Sequence, residues 1–279
     1  MMYNYYIINK GLKCKEMKYK NLLKIIASIL SVSILLIFFS SCKDNNTPDT
    51  HQETEDIQAS VEPTKRVALT FDDGPHNVRT VKIVDELSKY NFHATFFVVG
   101  NRVDGSEYNG GNALKYAAEK GNEIAIHGYT HSSNNYYDKC DDATFKFELS
   151  ETEKAIKSQV KNASVRLMRP VGGRITEKRI QTSKYSIIMW SVDSEDWRYQ
   201  YSSKDTEIDA AQKVNTIVNN VMSQVRDGSI ILMHDIYEST YDAVVIILEK
   251  LHKEGYDVVT VSELIGSDLS AGRKYYSAE

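Results

Sequence analysis

From Val67 to Val261 the chain repeats one pattern: a short, almost continuously apolar run, then a stretch whose apolar residues recur three and four apart. The runs are Val67–Phe71, Ala94–Val99, Glu123–Ile126, Val165–Met168, Ser186–Val192, Ser229–Met233 and Val258–Val261. Strands that are apolar on both faces belong in a parallel sheet covered by helices. The stretches between them carry helical stripes. Val81, Ile83, Val84 and Leu87 form one that ends near Tyr90, and Ala113–Lys120 forms another that stops at Gly121. Phe145, Leu149, Ile156 and Val160 follow an N-capping Asp141. Val214, Ile217, Val218, Val221 and Val225 make a further stripe, and Val244, Ile247, Leu248 and Leu251 the last, closed by Gly255. This alternation predicts an α/β fold of about seven parallel strands in βαβ units. No glycine-rich phosphate loop follows the first run, so a closed or nearly closed (β/α) barrel fits better than a nucleotide-binding sheet.

The chain has 279 residues and a net charge of −4, with none of the basic bias of a nucleic-acid binder. Its three cysteines, Cys14, Cys42 and Cys140, are too few and too scattered for a disulfide framework or a cysteine metal site. Lys18, Lys20 and Lys24 precede an apolar run from Ile25 to Phe39, and Ser40-Ser41-Cys42 follows. That order describes a secretory signal peptide over 1–41, with Met17 as an alternative start. Cys42 resembles the lipid-accepting cysteine of a bacterial lipobox, with Phe39 in place of the usual leucine. The apolar run is short for a membrane span, which needs ~20 residues. Residues 42–65 are polar and read as a flexible, lipid-anchored tether. The expected layout is a folded domain over 66–266 and a C-terminal tail over 267–279, held outside the cytoplasm and anchored through Cys42.

In (β/α) barrels the chemistry collects at the C-terminal ends of the strands, and the polar clusters of this chain fall there. Thr70-Phe71-Asp72-Asp73-Gly74-Pro75 ends the first run. Adjacent carboxylates repel, and a cation resolves the conflict. His127-Gly128-Tyr129-Thr130-His131 ends the third run. An aspartate with two histidines makes a three-ligand set with an open position, as in catalytic zinc sites. Arg169-Pro170-Val171-Gly172-Gly173 ends the fourth, with an arginine able to pair with Asp72 and glycines that let backbone N–H groups approach a ligand. Asp193-Ser194-Glu195-Asp196-Trp197 ends the fifth, offering acids that can orient a histidine and a flat face on which a sugar can stack. Leu232-Met233-His234-Asp235 ends the sixth and suggests a general acid beside an apolar wall. Tyr129, Tyr136, Tyr137, Tyr199 and Tyr201 crowd the neighbouring loops, either as a sugar platform or as ordinary loop tyrosines.

These five clusters, in this order, resemble the polysaccharide deacetylase family (NodB-homology domain, carbohydrate esterase family 4) over about Arg66 to Ile265. The resemblance implies a distorted, incomplete (β/α) barrel holding one divalent metal, zinc foremost, with cobalt or others acceptable. It implies removal of N-acetyl or O-acetyl groups from a polysaccharide. By position, Asp72 matches the catalytic base, and Asp73, His127 and His131 the metal ligands. Arg169 matches the partner of the base, and Asp196 the residue that tunes the general acid His234. Gly172 matches the oxyanion N–H donor, Trp197 the aromatic wall and Leu232 the acetyl-methyl pocket.

Two departures stand out. The family's His-Ser/Thr-x-x-His has Gly128 at its second position, which removes a loop-bracing hydroxyl and is expected to soften the metal site. Its Arg-x-Pro-aromatic-Gly has Val171 and Gly172, which is expected to widen the aromatic wall. The function expected is deacetylation of a cell-surface or extracellular polysaccharide by a monomeric enzyme, with N-acetylglucosamine of peptidoglycan or an exopolysaccharide as the leading substrate. The alternatives are a non-catalytic sugar-binding lipoprotein on the same scaffold and a metal amidohydrolase of a small amide.

Overall fold

The structure, a computed structural model, describes residues 65–105 and 110–278. Its strands are β1 (Lys65–Asp72), β2 (Thr95–Val98), β3 (Glu123–Ile126), β4 (Leu167–Met168), β5 (Ser186–Ile188), β6 (Val192–Asp193), β7 (Ile230–His234), β8 (Tyr256–Val258) and β9 (Lys274–Tyr275). The helices are α1 (Arg79–Ser88), α2 (Gly100–Asp104), α3 (Gly111–Glu119), α4 (Asp142–Gln159), α5 (Glu177–Gln181), α6 (Glu207–Met222), α7 (Glu238–Lys253) and α8 (Val261–Ile265). The sheet runs β6-β7-β1-β2-β3-β4-β5-β9, with β8 pairing the start of β1. Its ladders are parallel, the outcome of strand–helix alternation.

Among the described residues nine strands stand where about seven were expected. The run 186–192 splits in two, because Arg169 takes the carbonyls of Ile188 and Met189 at its middle. One half, β5, stays beside β4, and the other, β6, lies beside β7 at the far edge of the sheet. The barrel is therefore incomplete between β5 and β6. The segment read as a tail contributes β9, which pairs with β5 in register Ile187–Lys274 and Ile188–Tyr275. Farther on, Ser277 bridges Ser229. The last strand lies earlier than the expected run Val258–Val261: β8 spans Tyr256–Val258 and overlaps it only at Val258, because Thr260 caps α8 through a reciprocal pair of bonds with Glu263.

Strand side chains alternate between faces. Val67, Leu69 and Phe71 of β1 pack outward with Ile83, Val84 and Leu87 of α1 and Val244 and Ile247 of α7. Ala68 packs inward with Phe97, Ala125, Leu167, Ile188 and Ile230, one residue from each of five other strands. Val261, Leu264 and Ile265 of α8 join this inner layer. Counting on by twos from the inner residues reaches Thr70 and Asp72, His127, Arg169, and Leu232 and His234. The period of the strand thus aims these side chains into one end of the barrel, above the apolar plug.

The plug gives a stability prediction. Leu264→Ala leaves a void in the inner layer and should cost about 2–5 kcal/mol. The measurement is the urea midpoint, which should fall with the slope of the transition unchanged.

Candidate metal centre and active site

The strand ends converge. Oδ1 of Asp73 lies 2.9 Å from His131 Nε2 and 3.4 Å from His127 Nε2. One ligand atom from each of the three residues falls within 4.8 Å of the other two. The neighbour, Asp72, stays apart: its Oδ1 accepts from Arg169 Nη1 at 2.8 Å, and its Oδ2 lies 3.6 Å from His127 Nε2. Adjacent residues can face different partners because Asp73 takes a left-handed conformation, φ 71°, at the exit of β1.

His127 is buried, and its Nδ1 sits 2.9 Å from the Arg169 carbonyl. A carbonyl can only accept, so Nδ1 carries a proton, and in the neutral ring the Nε2 lone pair faces Asp73. Asp73 Oδ1 is buried and receives no hydrogen-bond donor. Were the histidines charged they would outweigh burial and hold the Asp73 carboxyl well below its ordinary range. As neutral rings they present two lone pairs to an anionic oxygen. Such a set fits a divalent cation, with one carboxylate and two imidazoles as ligands.

Arg169 is fully buried and makes four further links around Asp72. Its Nη1 donates to Thr70 Oγ1 at 2.8 Å, Nε to Ile188 O at 3.1 Å and Nη2 to Met189 O at 2.9 Å. The guanidinium also stacks over Phe97, 4.2 Å from the ring centre. Across the site, His234 Nδ1 meets Asp196 Oδ1 at 2.7 Å. Asp196 Oδ2 accepts the His234 backbone N–H at 2.8 Å and the Thr240 hydroxyl at 2.6 Å. Burial pulls the His234 imidazole down, but Asp196, with Asp73 and Asp72, pushes it up to about 10. A divalent cation on Asp73 would cancel the part owed to Asp73 and Asp72, leaving the Asp196 contribution. Leu232 is buried on β7, Gly172 lies in a turn just past β4 with φ 61°, and Trp197 is half exposed after Asp196. Cys42 lies outside the described residues.

The structure answers both departures in the motifs. The turn 127–131 has a brace, and it comes from α4. Glu148, buried, accepts from the backbone N–H groups of Tyr129 at 2.6 Å and Thr130 at 2.9 Å through Oε2. Its Oε1 accepts from the Thr130 hydroxyl and from Asn135 Nδ2 at 2.7 Å. A side chain at Gly128 has no room: its Cβ would fall 2.7 Å from Tyr137 Oη and 3.2 Å from Glu148 Oε2, and the backbone there has φ 93°. The wall at Gly172 is also filled, by Tyr136, whose ring would lie 3.7 Å from a Cβ at that position. Sequence reasoning had missed Glu148, Thr70, Thr240 and Asp235. Glu148 is masked because it sits in a helix with many charges, while Thr70 sits inside the first motif and pointed to nothing by itself. Asp235 is buried with Thr80 on its Oδ2, and its carboxyl packs where a Cβ on Gly74 would be.

The brace is testable through metal binding. Glu148→Ala frees the turn that carries both histidines and should weaken binding of a divalent cation ~10- to 100-fold, the usual effect of losing a residue that orients a ligand. Competition with a chelator reads it directly. Glu148→Gln keeps the shape but cannot accept from every donor, and should fall between the two.

The family model for polysaccharide deacetylase matches residues 59–186. A peptidoglycan-N-acetylglucosamine deacetylase of Listeria monocytogenes is 32% identical over 218 residues, covering 76% of this chain and 41% of that protein. A chitooligosaccharide deacetylase of Bradyrhizobium sp. is 33% identical over 180 residues, covering 63% of this chain and 74% of that protein. Among solved structures, a T48 deacetylase with substrate superposes with a TM-score of 0.65 at 32% identity, covering 76% of this chain and 96% of that one. The chain thus spans about two fifths of the length of the Listeria relative. On sequence, fold and motif order together, the chain belongs to the polysaccharide deacetylase family.

Proposed function

We propose that this protein is a metal-dependent deacetylase that hydrolyses acetyl groups on a cell-surface or extracellular polysaccharide and releases acetate. One observation carries the proposal: Asp73, His127 and His131 meet at one point while Asp72 is held off it by Arg169. A set of ligands beside a separate carboxylate suits hydrolysis, in which one group binds and another moves a proton. Zinc is the metal that best suits one carboxylate and two imidazoles.

The chain's own groups divide the work. A cation on Asp73, His127 and His131 would supply Lewis acidity, polarising the acetyl carbonyl and acidifying a water. Asp72 takes the proton of the attacking water through Oδ2, since Oδ1 is committed to Arg169. The Gly172 N–H, free to approach because its residue has no side chain, donates to the oxygen on which negative charge develops. His234, kept protonated by Asp196, gives a proton to the departing nitrogen. Leu232 bounds the space for the acetyl methyl, and Trp197 offers its exposed face to the sugar.

N-acetylglucosamine in peptidoglycan or an exopolysaccharide is the proposed substrate, supported by the names of the Listeria and Bradyrhizobium relatives. The proposed location is outside the cytoplasm, anchored through a lipidated Cys42, supported by the basic, apolar and small-residue order of residues 17–42. Among the described residues no helix is long and apolar enough to cross a membrane. Labelling with a fatty acid tests the anchor: incorporation should vanish in Cys42→Ala.

Acetate release from chitooligosaccharides, acetylated xylan and peptidoglycan tests the activity. Asp72→Asn should retain the metal and lose ~10²- to 10⁴-fold in rate, the usual worth of a positioned base; near-normal release would exclude Asp72 as the base. His131→Ala should lose bound metal.

The pH profile tests the acid. His234 must be protonated to act, so activity fades as pH rises through its pKa. Asp196→Asn removes the charge that raises that pKa. The alkaline limb of the kcat profile should therefore move to lower pH, while the acid limb stays in place.

A further inference from the structure

We infer that Tyr136 is a substrate-facing residue that helps set which sugar the site accepts, its phenol forming the wall beside Gly172. This rests on the deacetylase reading and names a contact that the motifs do not contain. Gly172 follows Arg169 by three residues and carries no side chain. Built onto its backbone, a Cβ would lie 3.7 Å from Tyr136 Cε1 and 3.8 Å from both Cζ and Oη. These are ordinary van der Waals separations, so the hydroxyl end of the ring borders the space next to the Gly172 N–H.

The ring is held there from several sides. Arg174 Cζ lies 4.8 Å and Lys139 Nζ 5.0 Å from its centre. Arg174 in turn grips Asp138 Oδ2 with Nε at 2.9 Å and Nη2 at 2.6 Å. The next residue, Tyr137, bridges Ile175 backbone to backbone. The segment 136–138 is thereby tied to the segment 172–175, and Tyr136 arrives already ordered. A pre-ordered aromatic loses little freedom on binding.

The other loop tyrosines have different occupations. Tyr137 is buried against Gly128, and Tyr129 meets Phe147 edge-on with its hydroxyl on Asp104. Tyr201 bonds Asp242, and Tyr199 packs on the core. Tyr136 is only half buried, and it combines an apolar edge with a hydroxyl that can donate and accept. A pyranose presents the matching surface of C–H groups and hydroxyls. Lys139 and Arg174 lie over the ring, so the contact offered to the sugar is the edge and the hydroxyl.

The experiment compares wild type, Tyr136→Phe and Tyr136→Ala as zinc-loaded protein with chitopentaose as substrate. Tyr136→Ala should raise KM ~10-fold and Tyr136→Phe ~3-fold, with kcat within ~2-fold and zinc content unchanged. An unchanged KM in Tyr136→Ala overturns the inference, as does a fall in kcat and zinc content at constant KM, which would mark a structural role. Calorimetric titration of the metal-free proteins with chitopentaose separates this from the catalytic reading. A ~10-fold weaker affinity in Tyr136→Ala supports the inference even if wild type releases no acetate, a result that would defeat the deacetylase reading alone. Equal affinities, or no binding by wild type at millimolar sugar, overturn it.

Discussion

The buried guanidinium of Arg169 is the point on which the site and the sheet both depend. It is fully enclosed, and its donors are divided among Asp72, Thr70 and the carbonyls of Ile188 and Met189. Enclosing a charge costs several kcal/mol, and a single carboxylate rarely returns more than that. Its value here is geometric. The planar fork fixes the Asp72 carboxylate on one side and ends the pairing of β5 on the other. One side chain therefore positions the proposed base and marks where the barrel stops. Its backbone carbonyl does a third job, since it selects the tautomer of His127.

Much of this was legible because strand period and strand ends carry separate messages. The apolar runs announced parallel strands, and counting by twos from Ala68, Ala125, Leu167 and Ile230 reaches Asp72, His127, Arg169 and His234. What period cannot convey is where a run breaks. Ser186–Val192 is apolar but for its two serines, yet it divides where the Arg169 side chain claims its carbonyls. Pairing of Lys274–Tyr275 was equally hidden: a two-residue strand in a polar segment has no periodicity to detect. Val259 and Val261 extend the apolar character past the strand, and only the Thr260–Glu263 capping pair reveals the turn into α8.

The site was less legible where function passes from one residue type to another. A motif read residue by residue reports Gly128 and Gly172 as losses. In three dimensions the consecutive residues Tyr137 and Tyr136 fill the two spaces, one inside the turn and one beside it. Glu148 then satisfies the backbone N–H groups of the turn, a task that a short hydroxyl at position 128 could share only in part. Such exchanges link residues on different elements, and nothing in the local spacing of either motif signals them. Packing imposes them: close-packed interiors leave few voids, so a side chain removed at one position invites another from the neighbouring loop.

The balance of charge shows why the ion belongs on Asp73. Five carboxyl groups crowd this end of the barrel: Asp72, Asp73, Asp193, Asp196 and Asp235. Arg169 answers Asp72, and His234 with Thr240 answers Asp196. Burial, reinforced by the nearby charge of Asp73, pushes Asp235 up to about 7, so at neutral pH it can stay partly protonated against Gly74 with Thr80 on its other oxygen. Asp73 has no such fixed partner. Its nearest groups are two imidazoles, one of which has its proton directed elsewhere by the Arg169 carbonyl. Protonating both rings would satisfy Asp73 but would spend the lone pairs that make the cluster chemically useful. A divalent cation satisfies the carboxylate and both rings together, and it leaves both imidazole lone pairs in use as ligands.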